Sequence, residues 1–231
     1  MGTYLDILGG FFVMGFLLLI AFRASDTATT EFFNYNSDAI VQQNIAQLSG
    51  VIQYDLRKMG YGVPESQQST ILQIAQPSHL KFLAHLNGDS ECRIPLPGNT
   101  TIDDVPDTIE YIVQPLETIN FGDTSITTYR VTRKVRVSTG YSENMMIGVI
   151  GNSNVFNYLD QIGNPVPMVG ATKMIEVTLT AFNPRVVLSP DYISEQISGI
   201  SDPQFRRREL RRLLRASFWK QTRLISKNLR R

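Results

Sequence analysis

Residues 7–22 of this chain contain no charged or strongly polar side chain. With Tyr4 and Leu5 the apolar stretch is roughly 18 residues, near the lower end of what crosses a hydrocarbon layer. A core helix of a soluble domain is rarely apolar on every face. A secretory signal peptide would carry a basic front, a shorter apolar core and a small-x-small cleavage site. Here no Lys or Arg precedes the run, and Phe22-Arg23 closes it without such a site. The reading is therefore a transmembrane helix over residues 1–24. Neither flank supplies the Lys/Arg cluster that would set its orientation. Such an uncharged front is what a chain that has lost a basic leader would show. Asp6 stands at the lip of the run, where a carboxylate is costly unless it meets a cation.

The remainder can build a packed core. The chain has 231 residues, 42% hydrophobic and 19% charged, enough for one medium domain and an appendage. Its net charge of +1 hides an asymmetry: residues 206–231 hold eleven of the 22 cationic residues and one of the 21 acids, Glu209. The tail is thus +10 and the body −9, a split that bears on association rather than on fold. The single cysteine, Cys92, excludes an internal disulfide framework.

Val41, Ile45, Leu48, Ile52, Leu56 and Met59 recur in steps of three and four, one face of a helix. Gly60, Gly62 and Pro64 end it. The predicted spine helix covers residues 25–62, loosened or broken near 25–37, where Asn34, Asn36, Ser37 and Asp38 compete for backbone hydrogen bonds. Beyond Pro64 the period becomes two. Strands are expected at 71–75, 80–86, 108–113, 127–137, 155–159 and 174–182, with turns at Asn87-Gly88-Asp89, Phe121-Gly122-Asp123 and Gly163-Asn164-Pro165. Residues 63–204 are read as a β-rich domain in which 184–204 is a long excursion. Residues 205–231 are read as a basic segment, helical over 204–217 and then either helix or closing strand. The fold class is α+β: a long N-terminal helix packed on an antiparallel sheet.

No catalytic constellation can be named, and no enzyme is expected. His79 and His85 do not make a metal pair, because His85 alternates in phase with Leu83 on a strand. There is no phosphate-binding glycine loop and no nucleophile elbow; no cofactor is expected. Asp89, Glu91, Asp103 and Asp104 offer hard oxygen ligands for calcium, although solvated turns have the same composition. Asn99-Thr100-Thr101 is a glycosylation sequon. The tail arginines Arg206, Arg207, Arg208, Arg211, Arg212 and Arg215 admit three roles: binding DNA or anionic lipid, docking on the acidic body of a neighbouring copy, or forming a solvated face beside a closing strand.

The order of these features resembles the type IV pilin and type II secretion pseudopilin superfamily, nearest to large minor pilins of the PilW kind and the J-type minor pseudopilin. Thr3-Tyr4-Leu5-Asp6 stands where mature pilins carry Thr-Leu-(Ile/Val)-Glu, with Asp for Glu and Tyr for Leu. Asp55-Leu56-Arg57-Lys58-Met59-Gly60-Tyr61 resembles the end of their spine helix. Leu80 to Asp89 resembles their first strand and turn, and Thr108-Ile109-Glu110-Tyr111 with Tyr129-Arg130-Val131 the next hairpin. Phe156-Asn157-Tyr158-Leu159-Asp160-Gln161-Ile162-Gly163 resembles a recurrent turn, and Arg223 to Leu229 a closing strand.

The resemblance implies a pilin-like fold and a filament subunit, minor or priming, stored in the bacterial inner membrane with its domain outside the cytoplasm. Its partners would be copies of itself or other pilin-like subunits, with no small-molecule substrate. It further implies that Asp6 pairs with the terminal amine of an adjacent subunit. Gly2 and Thr3 would mark the processing register, and Gly9, Gly10 and Gly15 would let helices approach closely. The competing reading is a single-pass membrane protein whose β-rich domain carries a tail for nucleic acid or anionic lipid.

Overall fold

The computed structural model describes residues 2–86, 105–121, 124–138, 140–166, 169–181, 195, 197–214 and 219–224. The chain divides into two units, residues 1–40 and 41–231.

Helix α1 spans Gly2–Arg57 and is unbroken, so the loosening expected near 25–37 does not occur. Thr27 and Thr29 donate their hydroxyls to the carbonyls of Arg23 and Ser25, one turn back, at 2.9 and 2.8 Å. These two hydroxyls are satisfied without leaving the helix. Residues 7–29 of α1 are long and apolar enough to cross a membrane, and none of that stretch is buried.

The spine helix also ends five residues earlier than predicted. After Arg57 the amides of Lys58 and Met59 reach back only three residues, to Asp55 and Leu56 at 3.0 and 3.2 Å, the tightened turn that satisfies helix-end carbonyls. Gly60 and Gly62 then take φ of 69° and 66°, which favours glycine. The turn is joined to the sheet: Gly60 donates to the Leu83 carbonyl at 2.8 Å, and His85 donates to that of Tyr61 at 2.9 Å. A Cβ on Gly62 would lie 2.7 Å from His85 Cβ. Gly62→Ala should therefore cost about 2 kcal/mol or more through left-handed strain and overlap, a fall of several degrees in melting temperature. Gly50→Ala, inside α1 with open space around it, should stabilise by up to about 1 kcal/mol. Thermal melts of the two variants moving in the same direction would contradict this account.

Among the described residues eight strands follow. The first sheet runs β1 (Leu72–Gln76), β2 (His79–Ala84), β3 (Asp107–Phe121), β4 (Thr124–Arg136) and β5 (Ser142–Ile150), paired in that order and antiparallel throughout. The second runs β6 (Phe156–Leu159), β7 (Met174–Thr180) and β8 (Trp219–Leu224), also antiparallel. The molecule is α+β. β3 continues well past the predicted Val113 because Pro115, which cannot donate to a ladder, sits at a register shift against β4. β5 went unpredicted: its Met145, Met146 and Val149 are all exposed, so it lacks the alternation of a half-buried strand. The open alternatives for the tail resolve into α2 (Pro203–Leu214) followed by strand β8. Asp202 caps α2 by accepting the Gln204 amide at 2.8 Å, with Pro203 in the first turn, where its missing N–H costs nothing. Most of the predicted excursion at 184–204 lies outside the described residues.

Within the second unit the α1 stripe of Leu48, Ile52 and Leu56 shares one core with Phe82, Ile109, Tyr111 and Val131 of the first sheet and Phe156, Ile175 and Val177 of the second. Val41 and Ile45 pack with Ala181 just beyond β7. The sheets are stitched where chain leaves one for the other. Val155 and Phe156 both donate to the Pro77 carbonyl, at 2.8 and 3.0 Å. Asn152 donates to the Thr178 carbonyl at 2.9 Å and accepts the Thr180 amide at 2.8 Å. Gln53 of α1 donates to Thr222 of β8 at 3.2 Å.

Candidate functional site

Asp55, Tyr111 and Arg133 are charged or polar residues on otherwise apolar faces. Asp55 interrupts the α1 stripe between Ile52 and Met59; Tyr111 lies between Ile109 and Val113; Arg133 lies between Val131 and Val135. Tyr111 and Arg133 are direct cross-strand partners, and the fold brings both onto Asp55. Arg133 donates Nε to Asp55 Oδ2 at 2.6 Å and Nη2 to Oδ1 at 3.2 Å, and the Tyr111 hydroxyl donates to Oδ2 at 2.5 Å. Arg133 Nη1 reaches Glu143 of β5 at 3.4 Å. Asp55 and Tyr111 are fully buried. Burial, then the charge of Asp55, pushes the Tyr111 hydroxyl well above its ordinary pKa. Burial works against the charge of Arg133, but the hydrogen bond and charge of Asp55 outweigh it and raise its pKa. The group is a buried ion pair whose members bond one another. Its place fixes its job: it sets the register of the α1 end against β3 and β4.

Three further polar centres hold the domain. Buried Asp107 accepts the Leu86 amide at 2.7 Å and the Ser138 amide at 2.9 Å, closing the ends of β2 and β4. Glu176 of β7 accepts from Arg223 of β8 at 2.5 Å, which holds its carboxyl below the usual range against the opposing effect of burial. Asp160 gathers the amides of Ile162, Gly163 and Asn164 at 2.8, 2.7 and 2.8 Å. Those donors, Asn164 foremost, lower its pKa, and Gly163 at φ 96° completes the turn.

The predicted site residues fall differently. Gly2, Thr3 and Asp6 belong to the first turns of α1. Gly15 lines a shallow groove of about 450 Å³ with Phe11, Phe12, Phe16 and Leu19. Gly9 and Gly10 lie roughly 120° and 140° away around the helix, and all three glycines face open space. In the tail Arg206 is committed inward, donating Nε and Nη2 to the Ile200 carbonyl at 3.1 and 2.8 Å. Arg208 is exposed on α2; the backbones of Arg207, Arg211 and Arg212 are helical, and Arg215 lies outside the described residues. The calcium candidates Asp89, Glu91, Asp103 and Asp104 and the sequon at Asn99 also lie outside them. The histidines go separate ways: His79 meets Glu110 at 2.6 Å, and His85 packs on Gly62.

Comparison with family models, with curated proteins and with solved structures finds no match. What the fold itself defines is a class: an α+β protein with antiparallel sheets whose N-terminal helix is long and apolar enough to cross a membrane.

Proposed function

We propose that the chain is a structural subunit, minor or priming, of a type IV pilus-like or type II secretion pseudopilus filament, and not an enzyme. It is held in the bacterial inner membrane by the apolar segment, with the β-rich domain outside the cytoplasm, until it joins copies of itself or other pilin-like subunits. The observation that carries this reading is α1. One unbroken helix has residues 7–29 apolar and wholly uncovered, while its later stripe is core to the domain. Lipid can cover the first part before assembly and neighbouring helices can cover it afterwards, so the apolar surface stays dry in both states. The ordered resemblances along the chain support the same reading. In it, Asp6 leaves the membrane edge for an apolar surrounding and requires a cation from the adjacent subunit.

The test is cross-linking in intact cells. With Cys92→Ser as background, a cysteine at Leu19 should give a ladder of disulfide-linked copies or a heterodimer with another pilin-like subunit. Asp6→Ala should reduce those products at least tenfold while leaving the chain in the membrane fraction. Undiminished products from Asp6→Ala would remove the pairing role. Protection of the domain from protease added to spheroplasts would favour the cytosolic orientation and sink the filament reading.

A further inference from the structure

The face of the first sheet turned away from α1 carries a different chemistry from its buried face. Side chains alternate across a strand, so Tyr111, Arg133 and their apolar neighbours face α1 while Ile112, Gln114, Arg130, Thr132 and Lys134 face outward. The pairing places Gln114 opposite Arg130, Ile112 opposite Thr132, Thr132 beside Met146 and Lys134 beside Asn144. These seven residues line a hollow of about 320 Å³, at the small end of ligand sites.

Its charges are unbalanced. Arg130 and Lys134 flank Thr132 on β4, their Cα atoms roughly 13 Å apart by strand rise. Arg130 Nη2 donates to the neutral Gln114 Oε1 at 2.9 Å, which turns the guanidinium across the hollow and leaves the Gln114 amide nitrogen free to donate. Glu110 lies opposite Lys134 in the ladder, but its carboxylate is taken up by His79 at 2.6 Å. Lys134 makes no ion pair among the described residues. Two cations therefore border a cavity that also offers two carboxamides, one hydroxyl and an apolar floor of Ile112 and Met146.

We propose that this hollow binds an acidic sugar, its carboxylate or other oxyanion taken by Arg130 and Lys134 and its hydroxyls by Gln114, Thr132 and Asn144. Amide and hydroxyl side chains both donate and accept, as sugar hydroxyls require, and Ile112 and Met146 suit the apolar face of a sugar ring. The volume accommodates one or two sugar units. A stable protein partner would engage about 20–30 residues a side, far more than line the hollow. The lining holds no aromatic ring, so single-stranded nucleic acid would lack its stacking platform. The site is independent of the filament reading and of the basic tail.

The experiment is titration calorimetry on the full chain in detergent, with trigalacturonate, galacturonate, a neutral galactose trisaccharide and a ten-residue oligothymidylate. Trigalacturonate should bind saturably at one site, weaken with added salt, and bind more tightly than the neutral trisaccharide by at least tenfold. If the natural source is a free sugar acid, galacturonate will match the trimer; if it is a glycan, the trimer will bind more tightly. Arg130→Ala and Lys134→Ala should each weaken binding about threefold to tenfold without changing the melting temperature. Arg208→Ala, on the exposed side of α2, should leave binding unchanged. The proposal is overturned if trigalacturonate shows no saturable binding, or if the double variant binds it as the parent does. It is equally overturned if the neutral sugar binds as well, or if the oligothymidylate binds more tightly.

Discussion

Replacing Asp55 by Ala should destabilise the β-rich domain by about 3–5 kcal/mol, the usual consequence of removing one partner from a buried ion pair. The carboxylate accepts two hydrogen bonds from Arg133 and one from Tyr111. Without it a guanidinium that is almost wholly buried has, among the described residues, no carboxylate nearer than the 3.4 Å contact to Glu143. At about 2–4 °C per kcal/mol for a domain of this size, the melting temperature should fall by about 10 °C. Asp55→Asn should recover little, because an amide has no charge to set against Arg133. Tyr111→Phe should cost less, about 1–3 kcal/mol, since the ring still fills its place and the ion pair survives. The double variant Asp55→Leu/Arg133→Met should be markedly more stable than Asp55→Ala alone, because no charge is then stranded. Urea titrations of the detergent-solubilised chain measure all four. A loss under about 1 kcal/mol for Asp55→Ala would mean that Arg133 finds water or another partner, and that the ion pair does not hold the end of α1.

The same residues show what could be read before the fold was known. The stripe from Val41 to Met59 was legible, and all six of its members are buried, because helical spacing of apolar residues is enforced by burial alone. Six strands were legible for the same reason, with ends displaced by three residues or fewer except at β3, which runs on from Val113 to Phe121. Asp55, Tyr111 and Arg133 were a readable signal that went unused: each breaks an apolar face at the in-phase position, and a charge there must be paired. Their convergence was not readable, since it depends on the register of β3 against β4 and on where α1 stops. β5 lacked a periodic signal because side chains on both of its faces are exposed. The break expected near 25–37 does not occur: α1 runs through that stretch, and Thr27 and Thr29 within it bond back to the helix. The hollow on the sheet could not be foreseen, because Gln114, Arg130 and Asn144 come to line one cavity only through three-strand register.

A single charge at the middle of the apolar segment should separate the two halves of the molecule's physics. Leu18 is the central residue of the stretch 7–29. Arginine at the centre of a spanning helix costs about 2.5–3.5 kcal/mol, while leucine there is favourable by about half a kcal/mol. Leu18→Arg should therefore cut membrane partition by about a hundredfold or more, read as the carbonate-resistant fraction of the expressed chain. Thr27→Arg, near the end of the stretch, should have little effect, because a long side chain there can carry its charge to the interface. None of the stretch is buried, so the melt of the β-rich domain should be the same in both variants and the parent. If Leu18→Arg stayed in the membrane as firmly as the parent, the chain would be held by something other than this helix. The tail arginines of α2 would then be the next surface to test against anionic lipid. If instead Leu18→Arg left the membrane with its domain melt unchanged and also lost the cross-linked products of the Leu19 cysteine, membrane storage and assembly would depend on the same uncovered helix.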